Sequence, residues 1–145
     1  MFAQALLAGQ TVSAQETETK TVEETTEFPL VISHLGVNTH TLSVNQLRSI
    51  FSLRVRNWPS GQPIRVIVLN LQDPLTLSFV RDVLKMLPHQ LRRQWDRIIY
   101  SGLGQGPLIV ETRQDMLQQI ASTPGAIGFI EGGTARDGMQ VLNIE

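Results

Sequence analysis

Apolar positions along the chain switch between two periods, and the switches mark the elements. Phe28-Pro29-Leu30-Val31-Ile32 is a short apolar run with strand character. Val44, Leu47, Ile50 and Phe51 fall at helical spacing behind Thr41-Leu42-Ser43, which predicts a capped helix with one apolar face. Asn57-Trp58-Pro59-Ser60-Gly61 has turn chemistry. The β-branched run Ile64-Arg65-Val66-Ile67-Val68-Leu69 reads as a central strand. Asp73-Pro74 then opens a helix with an acidic cap and proline at its first position, and Leu77, Val80, Leu84 and Leu87 are expected on its buried face.

Pro88 restarts the chain as a further helix through Leu91, Trp95, Ile98 and Ile99. Ser101 to Pro107 is a glycine-rich loop. Thr112 caps a helix that places Met116, Leu117 and Ile120 inside, and Thr123-Pro124-Gly125 stops it. Ala126-Ile127-Gly128-Phe129-Ile130 is a buried strand, and Met139 to Ile144 a final edge strand. This alternation predicts an α/β three-layer sandwich with a largely parallel sheet.

Length and composition add limits. A chain of 145 residues has room for one ordinary domain. Hydrophobic residues make up 41%, enough for a real core, and charged residues at 17% fall below the globular norm of roughly 25%. Residues 1–27 hold five Glu against Lys20, a net of -4, so the remainder carries +3. That balance is too weakly basic to point to duplex nucleic acid. The segment 15–27, rich in Thr and Glu, cannot bury enough apolar surface to hold itself in order and reads as a flexible tether. Before it, Phe2 to Ala8 is short and apolar, and Val12-Ser13-Ala14 has the small-x-small pattern of a signal-peptidase site without a basic region ahead of it. Residues 1–14 are therefore expected to be a truncated signal peptide of an exported, periplasmic chain, with the folded domain at 28–145. No apolar run is long enough to span a membrane.

Candidate chemistry is sparse. The absence of cysteine removes disulfides, thiolate metal sites and Cys nucleophiles. His34, His40 and His89 are spaced by 6 and 49 residues, which matches no metal motif, so they read as surface or loop residues. Ser33-His34 lacks a nucleophile elbow and a third member. No catalytic residue, metal ligand or cofactor is expected. Trp58 and Trp95 read as packing residues. Gly102-Leu103-Gly104-Gln105-Gly106 has no Walker lysine and reads first as a plain loop. Behind the helix that carries Arg92, Arg93 and Arg97, however, Ser101, Gly102 and Gly104 form a candidate weak anion site. The arginine triplet itself reads as a solvated face diluted by Asp96.

Four segments in order carry a resemblance: Leu42 to Ser52, with Leu42, Leu47, Ile50, Phe51 and Ser52 as its marks, then Asn57-Trp58, Pro63 to Val68, and Ala121-Ser122-Thr123-Pro124-Gly125-Ala126-Ile127-Gly128-Phe129-Ile130. Over residues 30–131 the chain resembles the second lobe of type II periplasmic binding proteins, specifically the phosphate-binding subunits of phosphate ABC transporters. The resemblance implies a non-enzymatic, substrate-binding-like protein for a small anion such as phosphate, acting as one lobe or between two copies. It also implies that phosphate is held where a Ser-Gly-Thr stretch meets a helix N-terminus. With Phe79 as the anchor those positions are Asp73, Pro74 and Leu75, followed by Thr76. Asp73 places an anion where an anion would sit, Pro74 removes a backbone donor, and Leu75 removes a hydroxyl. The alternative expectation is a ligand-free interaction module, derived from a binding lobe and docking on an envelope or sensor partner.

Overall fold

A computed structural model describes residues 28–133 and 138–145; the expected signal peptide and acidic tether lie outside them. Five strands form the main sheet in the order β4-β3-β5-β1-β6: β1 (Pro29–His34), β3 (Arg65–Leu69), β4 (Leu108–Val110), β5 (Ala126–Glu131) and β6 (Met139–Val141). β3 pairs parallel with both β4 and β5, whereas β1 pairs antiparallel with β5 and β6. Four of the five strands therefore run in one direction and β1 alone is reversed, which is the largely parallel α/β sandwich the alternation predicts. A separate two-stranded ribbon pairs β2 (Thr41–Leu42) with β7 (Asn143–Ile144).

Helices cover both faces. α1 (Val44–Phe51) starts with a reciprocal cap: the Ser43 hydroxyl accepts from the Gln46 N–H at 3.1 Å, and the Gln46 side chain accepts from the Ser43 N–H at 2.8 Å. α2 (Pro74–Ser78) runs into a π-helical turn at Phe79–Val83, and α3 (Pro88–Ser101) follows. On this side Phe79 stacks on Phe129 of β5 at 4.2 Å and meets Phe51 of α1 edge-on at 4.9 Å. The opposite face of β5 takes α4 (Arg113–Ser122). Gly128 leaves room there for Met116 and Ile120, and a Cβ at that position would stand 2.7 Å from the Met116 sulfur. The result is three layers around one continuous core.

Departures from the sequence reading have local causes. The π turn shifts the helical phase, because its Leu84 N–H bonds back to Phe79 O, five residues away. Leu75 and Phe79 are consequently buried with Val80 and Leu84, while Leu77 is 36% exposed rather than inward. Leu87 is 51% exposed for another reason, because the chain leaves the helix at Lys85 and Leu87 is the extended N-cap of α3. Ile99 is exposed too, because α3 turns its last apolar position outward. Leu108-Ile109-Val110, between the predicted loop 101–107 and the Thr112 cap, is an edge strand of three residues, two of them exposed, too short to show a period. The expected final strand is split at Leu142 into β6 and β7, which belong to different sheets.

Candidate functional site

In an open α/β sheet, ligands bind beyond the carboxyl ends of parallel strands. Here β4, β3 and β5 lie side by side in parallel, and each delivers a charged residue to that edge. Beyond β3, the Asn70 side chain accepts from the Gln72 N–H at 2.8 Å and turns the chain toward Asp73. Asp73 keeps extended backbone angles as the N-cap of α2, and its Oδ1 accepts from the Leu75 N–H at 2.9 Å. Beyond β4, Thr112 caps α4 by accepting from the Asp115 N–H at 3.0 Å, which places Arg113 at the first helical position. Glu131 is the last residue of β5.

Arg113 joins the three strands. Its two terminal nitrogens donate to the two carboxylate oxygens of Asp73 at 3.1 and 3.0 Å, a bidentate fork. Its Nε lies 3.3 Å from Glu131 Oε2, close enough for an ion pair, yet this buried nitrogen has no aligned hydrogen bond among the described residues. We therefore count the Glu131 contact as charge attraction and the Asp73 contact as the structural bond. Glu111 stands beside them and accepts from the Asn70 amide at 2.7 Å. The cluster of Asp73, Arg113 and Glu131 thus carries one positive and two negative charges.

This geometry has a plain chemical meaning. The donors that a helix N-terminus and a guanidinium would offer an oxyanion are already taken by the carboxylate of Asp73. The Thr76 hydroxyl is also committed: it is buried, donates to Asn70 O at 2.9 Å and lies 3.2 Å from Leu69 O. Leu75 is buried in the core.

The second group of sequence candidates lies at the other end of the sheet. Residues 101–107 precede β4, whereas Asp73 follows β3, and the two strands are parallel; five residues of β3 separate the groups by roughly 16 Å. Ser101 ends α3 and donates to Ile98 O at 3.1 Å. Gly102 takes the left-handed conformation that closes the helix, at φ 78°. Gly104 packs directly on the Arg56 guanidinium, which a Cβ there would displace. The loop borders a hollow of about 470 Å³ that also includes Arg56 and Arg65.

The remaining candidates resolve individually. Trp58 is buried and donates to Gly125 O at 3.0 Å; Trp95 is buried and donates to Phe51 O at 2.6 Å. Ser33 is buried, donates to the His34 carbonyl and accepts from the Gln140 amide, with no bond to the His34 ring. His34 Nδ1 accepts from the Gly36 N–H, and His40 pairs with Gln140. Among the described residues no group of three or more His, Asp and Glu could hold a metal ion, and no helix is long and apolar enough to cross a membrane.

Arg113 and Glu131 escaped the sequence reading. A cation at the first position of a helix opposes the helix dipole, and that misfit is the signal that could have marked Arg113. A carboxylate ending a wholly apolar strand could likewise have marked Glu131.

No protein-family model and no curated protein matches the chain. Solved structures do. An ABC-type phosphate transport receptor from Vibrio cholerae matches with a TM-score of 0.60 at 17% identity, over 80% of this chain and 45% of that one. PstS from Borrelia burgdorferi matches with a TM-score of 0.62 at 18% identity, over 81% of this chain and 47% of that one. The chain thus spans less than half the length of these receptors and has the fold of the matched part.

Proposed function

We propose that this chain is a non-enzymatic, exported binding domain of the phosphate-receptor fold whose strand-end anion seat is closed by its own carboxylate. Recognition then takes place on other surfaces, as an interaction module docking on an envelope or sensor protein or on a second copy. The observation that carries this reading is Asp73, which takes up both the Leu75 N–H and the Arg113 fork. An incoming phosphate would have to displace that carboxylate from the Leu75 N–H and the Arg113 fork and then sit beside it.

Isothermal titration with phosphate and sulfate tests the reading. The wild-type protein is expected to give no binding heat at this seat at about millimolar anion, because Asp73 already occupies the Leu75 N–H and the Arg113 fork. The Asp73→Ser/Pro74→Gly variant, which frees Arg113 and returns a backbone donor, is expected to gain phosphate binding. A second reading, a small-anion receptor, draws on the same geometry, since the fork and the helix N–H already hold one carboxylate in good alignment. It predicts saturable phosphate binding by the wild type that Arg113→Gln abolishes, and that result would overturn the closed-seat proposal.

A further inference from the structure

A different face of the molecule gathers positive charge. Arg48 of α1, Arg54 just beyond it, Lys85 before α3, and Arg93 and Arg97 of α3 line one concavity of about 460 Å³. Five of the twelve Lys and Arg residues of the chain meet there, with no Asp or Glu in the lining. Among the described residues, none of the five has a carboxylate within ion-pair distance; the ion pairs there use Arg81 and Arg113. The apparent triplet of α3 is therefore divided: Arg93 and Arg97 turn into this hollow, while Arg92 borders another one with His89 and Trp95.

This gathering is not explained by helix stability alone. Arg48 suits the last turn of α1, where the dipole favours a cation, and its Nε is fixed on Leu84 O at 2.7 Å. The others have no such reason. Arg93 and Arg97 stand one turn apart, a like-charge spacing that disfavours the helix. Lys85 has φ 58°, a left-handed conformation that glycine or asparagine adopts far more readily. Uncompensated cations held together in a concavity are the arrangement that a multivalent anion relieves.

We propose that this concavity is a binding site for an oligophosphate, a compact chain of several phosphoryl groups, distinct from the strand-end seat. Five positive charges exceed what one orthophosphate can neutralise, and the volume falls within the range of about 300–1,000 Å³ typical of small-molecule sites. Guanidinium groups suit phosphoryl oxygens because their planar fork donates in pairs. Serine and glutamine side chains in the lining add neutral donors. The lining contains no aromatic ring, so it offers bases nothing to stack on, which favours a bare phosphate chain over nucleic acid. The inference is independent of whether Asp73 closes the other site.

Titration calorimetry with tripolyphosphate on the full chain tests it. Expected is saturable one-to-one binding, about tenfold or more tighter than orthophosphate, weakening about tenfold between roughly 50 and 200 mM salt. Arg93→Gln/Arg97→Gln, both on the exposed side of α3, is expected to weaken it about tenfold or more with an unchanged circular dichroism spectrum. Arg81→Gln, outside the hollow and paired with Asp82, is expected to change nothing. Non-saturable binding, or equal affinity in the double variant, overturns the proposal. So does loss of binding in Arg113→Gln, which would place the ligand at the strand ends, or tighter binding of a single-stranded oligonucleotide of equal charge.

Discussion

Replacing Asp73 separates two contributions that the structure joins in one side chain. Asp73→Ala removes the cap on the Leu75 N–H, a loss of about 1 kcal/mol. It also removes the fork to Arg113. That pair is only half sheltered, with side-chain exposures of 16% for Asp73 and 41% for Arg113, so it is worth about 1 kcal/mol, the upper end for a solvent-screened pair. The expected total is about 2 kcal/mol. Asp73→Asn keeps a good cap and loses the charge, so it should cost about half as much. The assay is urea unfolding, read as a shift in midpoint at constant slope, on Asp73→Asn, Arg113→Met and the double variant. The cycle should return a coupling of about 1 kcal/mol between the two residues. A coupling under about 0.3 kcal/mol, or an Asp73→Asn protein as stable as wild type, would show that the fork does not hold the seat closed.

Two further outcomes test the scaffold around that seat. Phe79→Ala empties the centre of the Phe51, Phe79 and Phe129 cluster and should cost about 3–5 kcal/mol in thermal or urea unfolding; a loss under about 1 kcal/mol would mean the π turn is not packed as described. Gly125→Ala forces a side chain onto φ 81° and into Pro63 O, so a loss of about 2 kcal/mol or more is expected, and a neutral result would contradict the tight turn that also receives the Trp58 indole.

Elements whose signal is local were legible in advance. The Ser43 cap, the Asp73-Pro74 helix start and the apolar run 126–130 follow from side-chain chemistry and period, and all three occur where the sequence puts them. The burial of Trp58 and Trp95 follows in the same way. The π turn was not legible, because the hydrogen-bond slip from four residues to five is decided by packing Phe79 against Phe51 and Phe129, not by residue preference. Strand β4 was missed because three residues at a sheet edge carry too short a pattern to distinguish from a loop.

The same division runs through the sites. Asp73 was visible as a carboxylate at a helix start, and the loss of phosphate donors around it could be argued from residue type alone. What it binds could not. Arg113 is 40 residues away in sequence and reaches it only because β3 and β4 are parallel neighbours whose following helices begin at the same edge. The basic concavity has the same origin: Arg48, Arg54, Lys85, Arg93 and Arg97 come from separate stretches of the chain, and they converge when α1 and α3 pack together, with Trp95 of α3 bonded to Phe51 O of α1. Composition and period determine which segments fold and which side chains are caps or core, since those depend on neighbours within a few residues. Which charges meet depends on strand order and helix packing, and only the tertiary structure decides that.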